Sequence, residues 1–355
     1  MAGCVEEVCR GTLSVEGSEL KVLVTGVTGF LGGRVATRLA AAGHSVRGFV
    51  RDEARWTDRP ETAEIAAGDL LDAGTLRRAA SGCDALVHCA AMVKAWAKDK
   101  STFDRVNVGG LRYVLDAAKF ENARVFYTSS FIALGPTDGK IFDEDTPRAP
   151  GAPHNDYERT KWAADRLARD AAAAGFPIVR LYPGIVYGPG AVTAGNHVVQ
   201  NLILHARGKV PGLLGAGDRR MSFAYVDDVA SGFAAALERA QDGSAYILGG
   251  DNKTLVDLFA AFQVETGIAP PELKIPYAVA RIVGRLQRWR AELFGVEPEL
   301  TDEVVRIYAH EWMYSSARAE TELGYRITPL TEGVAKTVAW LRGRGALPVR
   351  GASAR

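Results

Sequence analysis

Short, nearly continuous apolar runs alternate with longer segments of helical periodicity along the first half of the chain. The apolar runs predict strands over residues 21–25, 45–50, 63–67, 85–89, 125–128 and 178–182. Apolar spacings of three and four predict helices over residues 31–42, 76–80, 103–120 and 157–174. Strands that are apolar along their whole length are typical of a parallel sheet buried on both faces. The pattern therefore predicts an α/β fold with a doubly wound parallel sheet.

This rhythm changes near Gly188, after which glycine and proline become frequent and the apolar runs become isolated. Helical spacing returns over residues 254–266, 277–294 and 301–310. We therefore predict four segments along the chain, with the third interleaved with the second. They are a flexible N-terminal extension (1–20), a doubly wound α/β domain (21–187), a smaller, mainly helical substrate lobe (188–345) and a disordered tail (346–355).

Composition narrows the range of functions. The formal net charge of the 355 residues is +1, which gives no electrostatic case for a nucleic-acid partner. No window approaches the roughly 20 apolar residues of a membrane span, and residues 1–20 carry charges instead of a secretory apolar core. The four cysteines lack metal-ligand spacing. We expect a cytoplasmic protein with reduced thiols and a small-molecule substrate, and no metal.

Residues 277–294 form an amphipathic segment in which four arginines alternate with large apolar residues. We interpret this segment as a surface helix of the substrate lobe. A helix that lies on a membrane surface or binds a partner is the alternative interpretation.

A glycine-rich turn, Thr25-Gly-Val-Thr-Gly-Phe-Leu-Gly32, follows the first predicted strand and opens the first helix. Gly26 allows a sharp turn, Gly29 allows close approach of a pyrophosphate to the backbone, and Gly32 allows the helix to pack near the sheet. This strand–turn–helix order predicts a Rossmann-type dinucleotide site at the helix N-terminus. The cofactor-binding residues predicted here are Gly26, Thr28, Gly29, Phe30 and Leu31.

The end of the second strand carries Arg51, where NAD-specific folds place a carboxylate. A guanidinium suits the 2′-phosphate of NADP, so NADP is favoured over NAD. Asp52 keeps NAD open, because its carboxylate could bind a ribose hydroxyl. After the third strand, Asp69 and Leu70 are predicted to lie near the adenine.

Tyr157 and Lys161 lie four residues apart on a predicted helix, so both side chains can enter one pocket. A free tyrosine has a pKa of about 10, and a nearby ammonium lowers that value. Ser130 follows the strand 125–128 and can hold a substrate oxygen beside Tyr157, although Ser129 competes for this role. Together with the glycine-rich turn, these residues predict a site for hydride transfer between a nicotinamide and an alcohol or carbonyl group.

These motifs resemble those of the extended short-chain dehydrogenases/reductases over residues 20–345. Within that family the chain is similar to the dihydroflavonol 4-reductase-like branch and, in that branch, to the farnesol dehydrogenases of plants. The matching stretches are 46–52, 107–111, 127–135, 157–161, 181–184, 226–229 and 310–314.

The resemblance implies that Ser130, Tyr157 and Lys161 are catalytic. It also implies a supporting asparagine, Asn107, for the cofactor ribose and a proton-relay water. Further cofactor contacts are implied at Ala90, Ala91, Thr128, Tyr157, Lys161, Tyr182, Pro183, Gly184 and Val186.

Segments beyond the carboxyl edge of the sheet should form the substrate pocket. Its predicted apolar residues are Met92, Trp96, Phe131 and Met221, whereas Lys94, Arg219 and Arg220 could instead clamp an anionic substrate. We therefore predict an NAD(P)-dependent oxidoreductase for a lipophilic alcohol or carbonyl compound, such as farnesol or a flavonoid or steroid-like ketone.

Two other functions stay open at this stage. One is a nucleotide-sugar epimerase or dehydratase with tightly bound NAD, and the other is a non-catalytic NAD(P)-sensing regulator. A homodimer is also plausible, because the helices around Leu111 and Trp162 are long and apolar.

Overall fold

The structure, a computed structural model, describes residues 19–347. The expected N-terminal extension and C-terminal tail lie almost entirely outside these residues. The strands are β1 (Lys21–Thr25), β2 (Ser45–Val50), β3 (Glu64–Ala67), β4 (Ala85–His88), β5 (Arg124–Thr128), β6 (Ile178–Pro183), β7 (Ile185–Tyr187), β8 (Leu213–Leu214), β9 (Met221–Tyr225), β10 (Ala245–Leu248), β11 (Asp251–Lys253) and β12 (Lys274–Ile275).

Helices connect most of these strands. They are α1 (Phe30–Ala41), α2 (Ala73–Ala80), α3 (Ser101–Phe103), α4 (Gly110–Glu121), α5 (Phe131–Leu134), α6 (Asp156–Ala173), α7 (His197–Ala206), α8 (Val226–Arg239), α9 (Leu255–Thr266), α10 (Tyr277–Phe294), α11 (Asp302–Tyr308), α12 (Ala317–Leu323) and α13 (Leu330–Gly343). Short 3₁₀ turns cover Glu53–Arg55 and Ala194–Asn196, and a π-helical segment, Asp104–Gly109, joins α3 to α4.

Seven parallel strands form the main sheet in the order β10-β6-β5-β4-β1-β2-β3. Val24 of β1 pairs with Gly48 on one side and Val87 on the other. Chain progression reverses direction between β1 and β4, which is the switch point where such sheets bind ligands at the strand carboxyl ends. The predicted doubly wound parallel sheet is confirmed.

Helices cover both faces of this sheet. Helices α1 and α8 pack on one face, with Val35, Leu39 and Phe233 in their shared core. Helices α2, α4 and α6 pack on the other face, where Leu111 and Ala164 are buried. Double coverage explains why the strands are apolar throughout.

The second half of the chain builds a smaller second core beside the carboxyl edge of the main sheet. A three-stranded sheet (β11-β9-β7) and a two-stranded one (β12-β8) pack there with α7, α9 and α13. Phe223, Phe262, Trp312 and Val334 are almost completely buried in this core. Strand β10 returns to the main sheet, so the two parts of the chain interleave.

The segment predicted as one helix over 103–120 is helical, but it is not a continuous α-helix. Between α3 and α4 the backbone follows a π-helical path over Asp104–Gly109. Arg159 of α6 holds this segment through Nη1 and Nη2, which donate to the carboxylate of Asp104 at 2.8 and 2.7 Å. π-helical turns inside α-helices often mark functional sites, and this one carries Asn107.

Candidate active site

The glycine-rich turn lies against the end of β4. Gly26 has a φ of +78°, and a Cβ added there would lie 2.7 Å from the backbone nitrogen of Ala90. A Cβ on Gly32 would lie 2.3 Å from the carbonyl oxygen of Gly26. Both glycines are therefore required by close backbone approach. Because Gly32 has no side chain, the first turn of α1 can pack directly on the backbone of the glycine-rich turn.

The N-terminus of α1 has the form of an anion site. Gly29 is the N-cap, no side chain caps the helix, and the first turn contains no acidic residue. The first amides of a helix lack intrahelical partners and point along the axis with the positive end of the dipole. Phe30 and Leu31 begin this turn, and Thr28 lines the adjoining cleft. The residues present therefore fit a pyrophosphate.

Thr25 links the turn to the neighbouring strand. Its hydroxyl lies 2.8 Å from Nδ1 of His88 and accepts a 3.3 Å hydrogen bond from the amide of Ala90. Burial, together with the charge of Lys161, lowers the pKa of His88 to about 3. His88 is therefore neutral near pH 7, and the loop holding Ala90 is fixed beside the turn.

At the end of β2, Arg51 is exposed and makes no ion pair within residues 19–347. Asp52 is exposed too, but its Oδ1 accepts from the amide of Ala54 at 3.1 Å and caps the following 3₁₀ turn. This turn brings Arg55 into the cleft beside Thr28, where Arg34 also lies. Two additional guanidinium groups, which sequence reasoning missed, therefore line the cleft.

Asp69 and Leu70 follow β3 as expected, but both have local structural contacts. Oδ1 of Asp69 accepts from the amide of Leu71 at 2.9 Å. Leu70 is buried, and its side chain would clash with a Cβ on Gly110 at 2.7 Å. The other carboxylate oxygen of Asp69 makes no hydrogen bond or ion pair with another of the described residues.

Helix α6 places Tyr157 and Lys161 next to the end of β5. Asn155 caps the helix by accepting from the amide of Glu158 at 2.8 Å. The hydroxyl of Tyr157 interacts with Ser130, whereas Ser129 donates to Asp165 at 2.8 Å. The structure thus brings Ser130 to Tyr157 and turns Ser129 toward α6, as neighbouring residues in extended backbone require.

Lys161 is buried at the end of β5. Its Nζ donates to the carbonyl oxygen of Thr128 at 2.7 Å and lies 5.0 Å from the ring centroid of Tyr127. Burial lowers the pKa of Lys161 to about 8, although Asp165 and Cys89 act in the opposite direction. Most of the Lys161 population is an ammonium at pH 7.

The pKa of Tyr157 is shifted in the direction opposite to the one expected from its spacing to Lys161. Burial raises it to about 12, while the interaction with Ser130 lowers it. Lys161 directs its ammonium to Thr128 and Tyr127 and is not among the causes of the Tyr157 shift. Desolvation of the phenolate therefore outweighs the lysine effect that the helical spacing predicts.

A buried ion pair supports this end of α6. The fully buried carboxylate of Glu158 accepts from the guanidinium of Arg148 and, at 2.8 Å, from the amide of His154. Burial raises the pKa of Glu158, but hydrogen bonds from His154 and Arg148 outweigh it and hold that pKa below its usual value. These contacts fix Glu158 in place and, with it, the backbone of the neighbouring Tyr157.

Asn107 ties the π-helical segment to both sides of the site. Its Oδ1 accepts from the amide of Met92 at 2.7 Å, and its Nδ2 donates to the hydroxyl of Thr160 at 2.9 Å. The side chain is almost completely buried. Asn107 therefore positions the Met92 loop and α6, so its backbone is the part left for the ribose or a relay water.

The segment from Tyr182 to Val186 runs along the far side of the site. Tyr182 is fully buried, and its hydroxyl accepts from Arg169 at 3.1 Å, so the side chain points to α6. The amide of Gly184 donates to Leu248 at 3.1 Å. The backbone of Pro183 and Gly184, together with the half-buried Val186, is the part that can meet a cofactor.

The predicted substrate residues have different environments. The Phe131 ring lies edge-on to Trp312 and Tyr314, with centroids 5.6 and 5.7 Å away, and forms an aromatic wall next to Ser130. Trp96 is buried, and its indole nitrogen has no partner. Met221 is buried in β9 within the second core, so it has a packing role there.

Two of the three cations considered for an anionic substrate are paired with carboxylates, and the third, Arg219, is exposed beside Tyr277. Nζ of Lys94 lies 3.0 Å from a carboxylate oxygen of Glu297. Nε of Arg220 lies 2.8 Å from Oε1 of Glu311. These pairs weigh against a diphosphate clamp at these two positions.

Sequence reasoning missed several supporting side chains, among them Tyr127, Asp165 and Arg148. Asp165 is four residues after Lys161, so helical spacing places it on the same face, and that signal was available. Tyr127 carries a weaker signal. It lies in the strand that leads to Ser130, but successive side chains of a strand point to opposite faces, so Tyr127 and Thr128 cannot both be expected at the site. Nothing in the local pattern indicates that Arg148 reaches Glu158, because the loop before α6 has no periodicity.

Within residues 19–347, no helix has the length and apolar character that crossing a membrane requires. The same residues contain no cluster of three or more side chains placed to hold a metal ion. Tyr113, Leu115 and Trp162 on α4 and α6 are partly exposed, and the homodimer stays a prediction.

A doubly wound parallel sheet with an uncapped glycine-rich helix start at its switch point defines the class of Rossmann-fold nicotinamide enzymes. The chain belongs to the NAD dependent epimerase/dehydratase family, whose model matches residues 22–249. It is thus an extended short-chain dehydrogenase/reductase, and proteins of this family bind a nicotinamide cofactor.

Comparisons with individual proteins point to reductases. A Synechocystis sp. protein named after dihydroflavonol 4-reductase is 30% identical over 332 residues, or 91% of this chain and 94% of that protein. A Stigmatella aurantiaca 4-hydroxy-2-methyl-3-oxo-4-farnesyl-3,4-dihydroquinoline-1-oxide ketoreductase is 31% identical over 93% of this chain and 100% of its own length. The crystal structure of gox2253 matches with a TM-score of 0.76 and 31% identity, covering 93% of this chain and 100% of that one. These findings confirm the dihydroflavonol 4-reductase-like branch, whereas the farnesol dehydrogenase likeness stays a prediction.

Proposed function

We propose that the protein reduces a lipophilic ketone or aldehyde, or oxidises the corresponding alcohol, with a nicotinamide cofactor and Tyr157 as the acid/base. The observation that carries this proposal is the interaction of the half-buried Tyr157 with the buried Ser130, one helical turn from Lys161. General acid/base groups must lie within hydrogen-bond reach of the oxygen that they protonate. Ser130 and Tyr157 together provide such a place for a substrate oxygen.

The cofactor residues fit a dinucleotide. The amides at the start of α1 would hold the pyrophosphate, and Asp69 would lie on the adenine side. We favour NADP over NAD because Arg51 is exposed and unpaired, with Arg55 in the same cleft. The bound nicotinamide supplies the hydride donor or acceptor.

The protonation states of the site suit carbonyl reduction at neutral pH. The pKa of Tyr157, about 12, keeps a proton on its hydroxyl, ready for donation to the substrate oxygen. The Ser130 hydroxyl holds that oxygen in place. The Lys161 ammonium donates to the carbonyl of Thr128 and to the hydroxyl of Tyr127, so its role is to hold the end of β5 against α6 beside Tyr157.

A lipophilic substrate is favoured by the walls of the site. The half-buried Phe131 offers aromatic surface next to Ser130, backed by the fully buried Trp312, and the cations Lys94 and Arg220 are paired with carboxylates. The names of the two similar relatives refer to a flavonoid and to a farnesylated quinoline oxide. We therefore place flavonoid or steroid-like ketones and farnesol-type isoprenoids first among the substrates.

Loss of NADPH or NADH absorbance with a flavanonol, a steroid ketone and farnesal tests this proposal. The Tyr157→Phe variant should lose activity by about 10²- to 10⁴-fold, while Tyr113→Phe on α4 serves as the matched control. Equal turnover by wild type and Tyr157→Phe would refute the catalytic role. A protein isolated with NAD already bound, which shows no net redox change with any of these compounds, would favour an epimerase or dehydratase.

A further inference from the structure

Helix α10 exposes a continuous apolar stripe. Its large side chains on one side are between 42% and 71% exposed, which is unusual for residues of this type. The opposite side is closely packed, since a Cβ on Gly284 would lie 2.4 Å from the amide of Asp302. We call the exposed stripe the α10 face; its members are Val279, Ile282, Val283, Leu286, Trp289, Leu293 and Phe294.

Positive charge borders the α10 face. Arg285 and Arg288 lie 3.8 and 3.1 Å from the carboxylate of Asp302 and are partly neutralised by it. Arg281 and Arg290 are exposed, and neither forms an ion pair with another part of the described chain. Helix α10 thus contains four arginines and one acidic residue, Glu292, so it carries a net positive charge.

We propose that the α10 face binds the surface of an anionic membrane. An amphipathic helix with Trp, Phe and Leu on one face and arginines beside it lies in the headgroup region, with its apolar side chains at the acyl boundary. Anionic lipids attract each basic residue near the surface. Arg290 is free to meet these headgroups, and Trp289 has the amphipathic ring that is enriched at such interfaces.

The position of Arg290 favours a membrane over a second copy of the chain. Arg290 is one helical turn from Leu286 and from Leu293 and Phe294, so its guanidinium emerges inside the apolar stripe. In a symmetric pair of α10 faces, this charge would be buried without a carboxylate, which is costly. At a membrane the same side chain extends to the phosphates while its methylene groups stay among apolar neighbours.

Both ends of α10 contact segments that are predicted to line the substrate pocket. The hydroxyl of Tyr277 at the start of α10 donates to the carbonyl of Tyr308 at 2.9 Å, and its ring packs on Gly215. Beyond the helix, Glu297 pairs with Lys94 of the Met92–Ala97 segment. We infer that a substrate dissolved in the membrane reaches the site past α10; this step rests on the proposed function, whereas membrane binding itself does not.

Co-sedimentation of the full chain with vesicles tests the proposal. We expect binding to vesicles of phosphatidylcholine with 30 mol % phosphatidylglycerol (about one anionic lipid in three) and weaker binding to phosphatidylcholine alone. The Leu286→Gln/Trp289→Gln variant should bind at least about tenfold more weakly. The Arg290→Gln variant should lose about fivefold on anionic vesicles, and Ile141→Gln, an exposed apolar position elsewhere, should bind like wild type.

Two results would overturn the proposal. One is no sedimentation of the wild type with anionic vesicles. The other is a lipid-free dimer, seen by analytical ultracentrifugation, that Leu286→Gln/Trp289→Gln converts to monomer, because the α10 face would then serve as an interface between copies. Vesicle binding without turnover of any lipophilic compound would leave membrane binding supported and would refute the proposed function instead.

Discussion

Replacement of Lys161 by methionine should make the protein more stable at neutral pH while it abolishes activity. The folded-state pKa of Lys161 is about 8, against 10.5 for the free side chain. A shift of about 2.5 units corresponds to about 3 kcal/mol, which the folded protein loses by holding this ammonium in a desolvated position. Methionine removes that cost but also the hydrogen bond to Thr128, worth about 1 kcal/mol. We expect a net gain of about 2 kcal/mol at pH 7.

The pH dependence gives this prediction its sign. Because the pKa of Lys161 is lower in the folded state, the unfolded chain binds more protons between the two pKa values. The wild type must therefore become more stable relative to the variant as the pH rises from about 8 to about 10.5. Below pH 8 the difference should be constant, and near pH 10 it should vanish, because the lost hydrogen bond then equals the remaining charge cost.

Urea unfolding of both proteins at several pH values between 6.5 and 10.5 (a range chosen to span the two pKa values, about 8 and 10.5) measures this difference directly. Lys119→Met on α4 is the matched control, since Lys119 is exposed, and it should show no pH-dependent difference. The reasoning is wrong if Lys161→Met is less stable than wild type at pH 7, or if its advantage does not shrink toward pH 10. Unchanged turnover in the variant would separately remove Lys161 from the catalytic set.

Two further substitutions test the framework around the site. Glu158→Gln should cost about 3 kcal/mol at pH 7, because it leaves the Arg148 guanidinium buried without its partner; since the pKa of Glu158 is lowered in the fold from 4.5, the urea-unfolding difference from wild type should begin to shrink below pH 4.5 and close as the pH falls through the lower, folded-state pKa. Gly26→Ala should lower stability by about 2 kcal/mol or more and weaken NADPH binding, measured by fluorescence titration, because its Cβ would contact Ala90. Gly43→Ala, at a similar positive φ but with open space around it, separates backbone strain from that contact; an equal loss in both variants would contradict the close-approach argument.

The main sheet was predictable because its information is local. Each strand is an apolar run closed by a glycine or polar turn, and the run over 45–50 coincides with β2. The second core was not predictable in the same way, since β7 and β9 are short and pair with strands distant in sequence. Helices α7, α8 and α13 also went unpredicted, because their burial is decided by those long-range pairings.

For the candidate site, the spacing of residues predicted which side chains lie close together. It did not predict how burial and neighbouring groups shift their pKa values. The four-residue interval brings Tyr157 and Lys161 to one side of α6, and the strand end brings Ser130 to Tyr157. The supporting pair of Arg148 and Glu158 depends on a loop whose path no periodicity encodes. Burial, which determines the sign of the pKa shift, is a property of the whole fold.

The pKa values of Tyr157 and Lys161 determine which protonation state of each side chain is the resting one. In water a tyrosine loses its proton slightly before a lysine does, at about 10 and 10.4. In this fold the order is widely separated and reversed, because burial raises the pKa of Tyr157 to about 12 and lowers that of Lys161 to about 8. Relative to free tyrosine, the phenolate of Tyr157 is therefore disfavoured by about 3 kcal/mol. Under the function that we propose, the resting site thus holds the protonated tyrosine that carbonyl reduction requires.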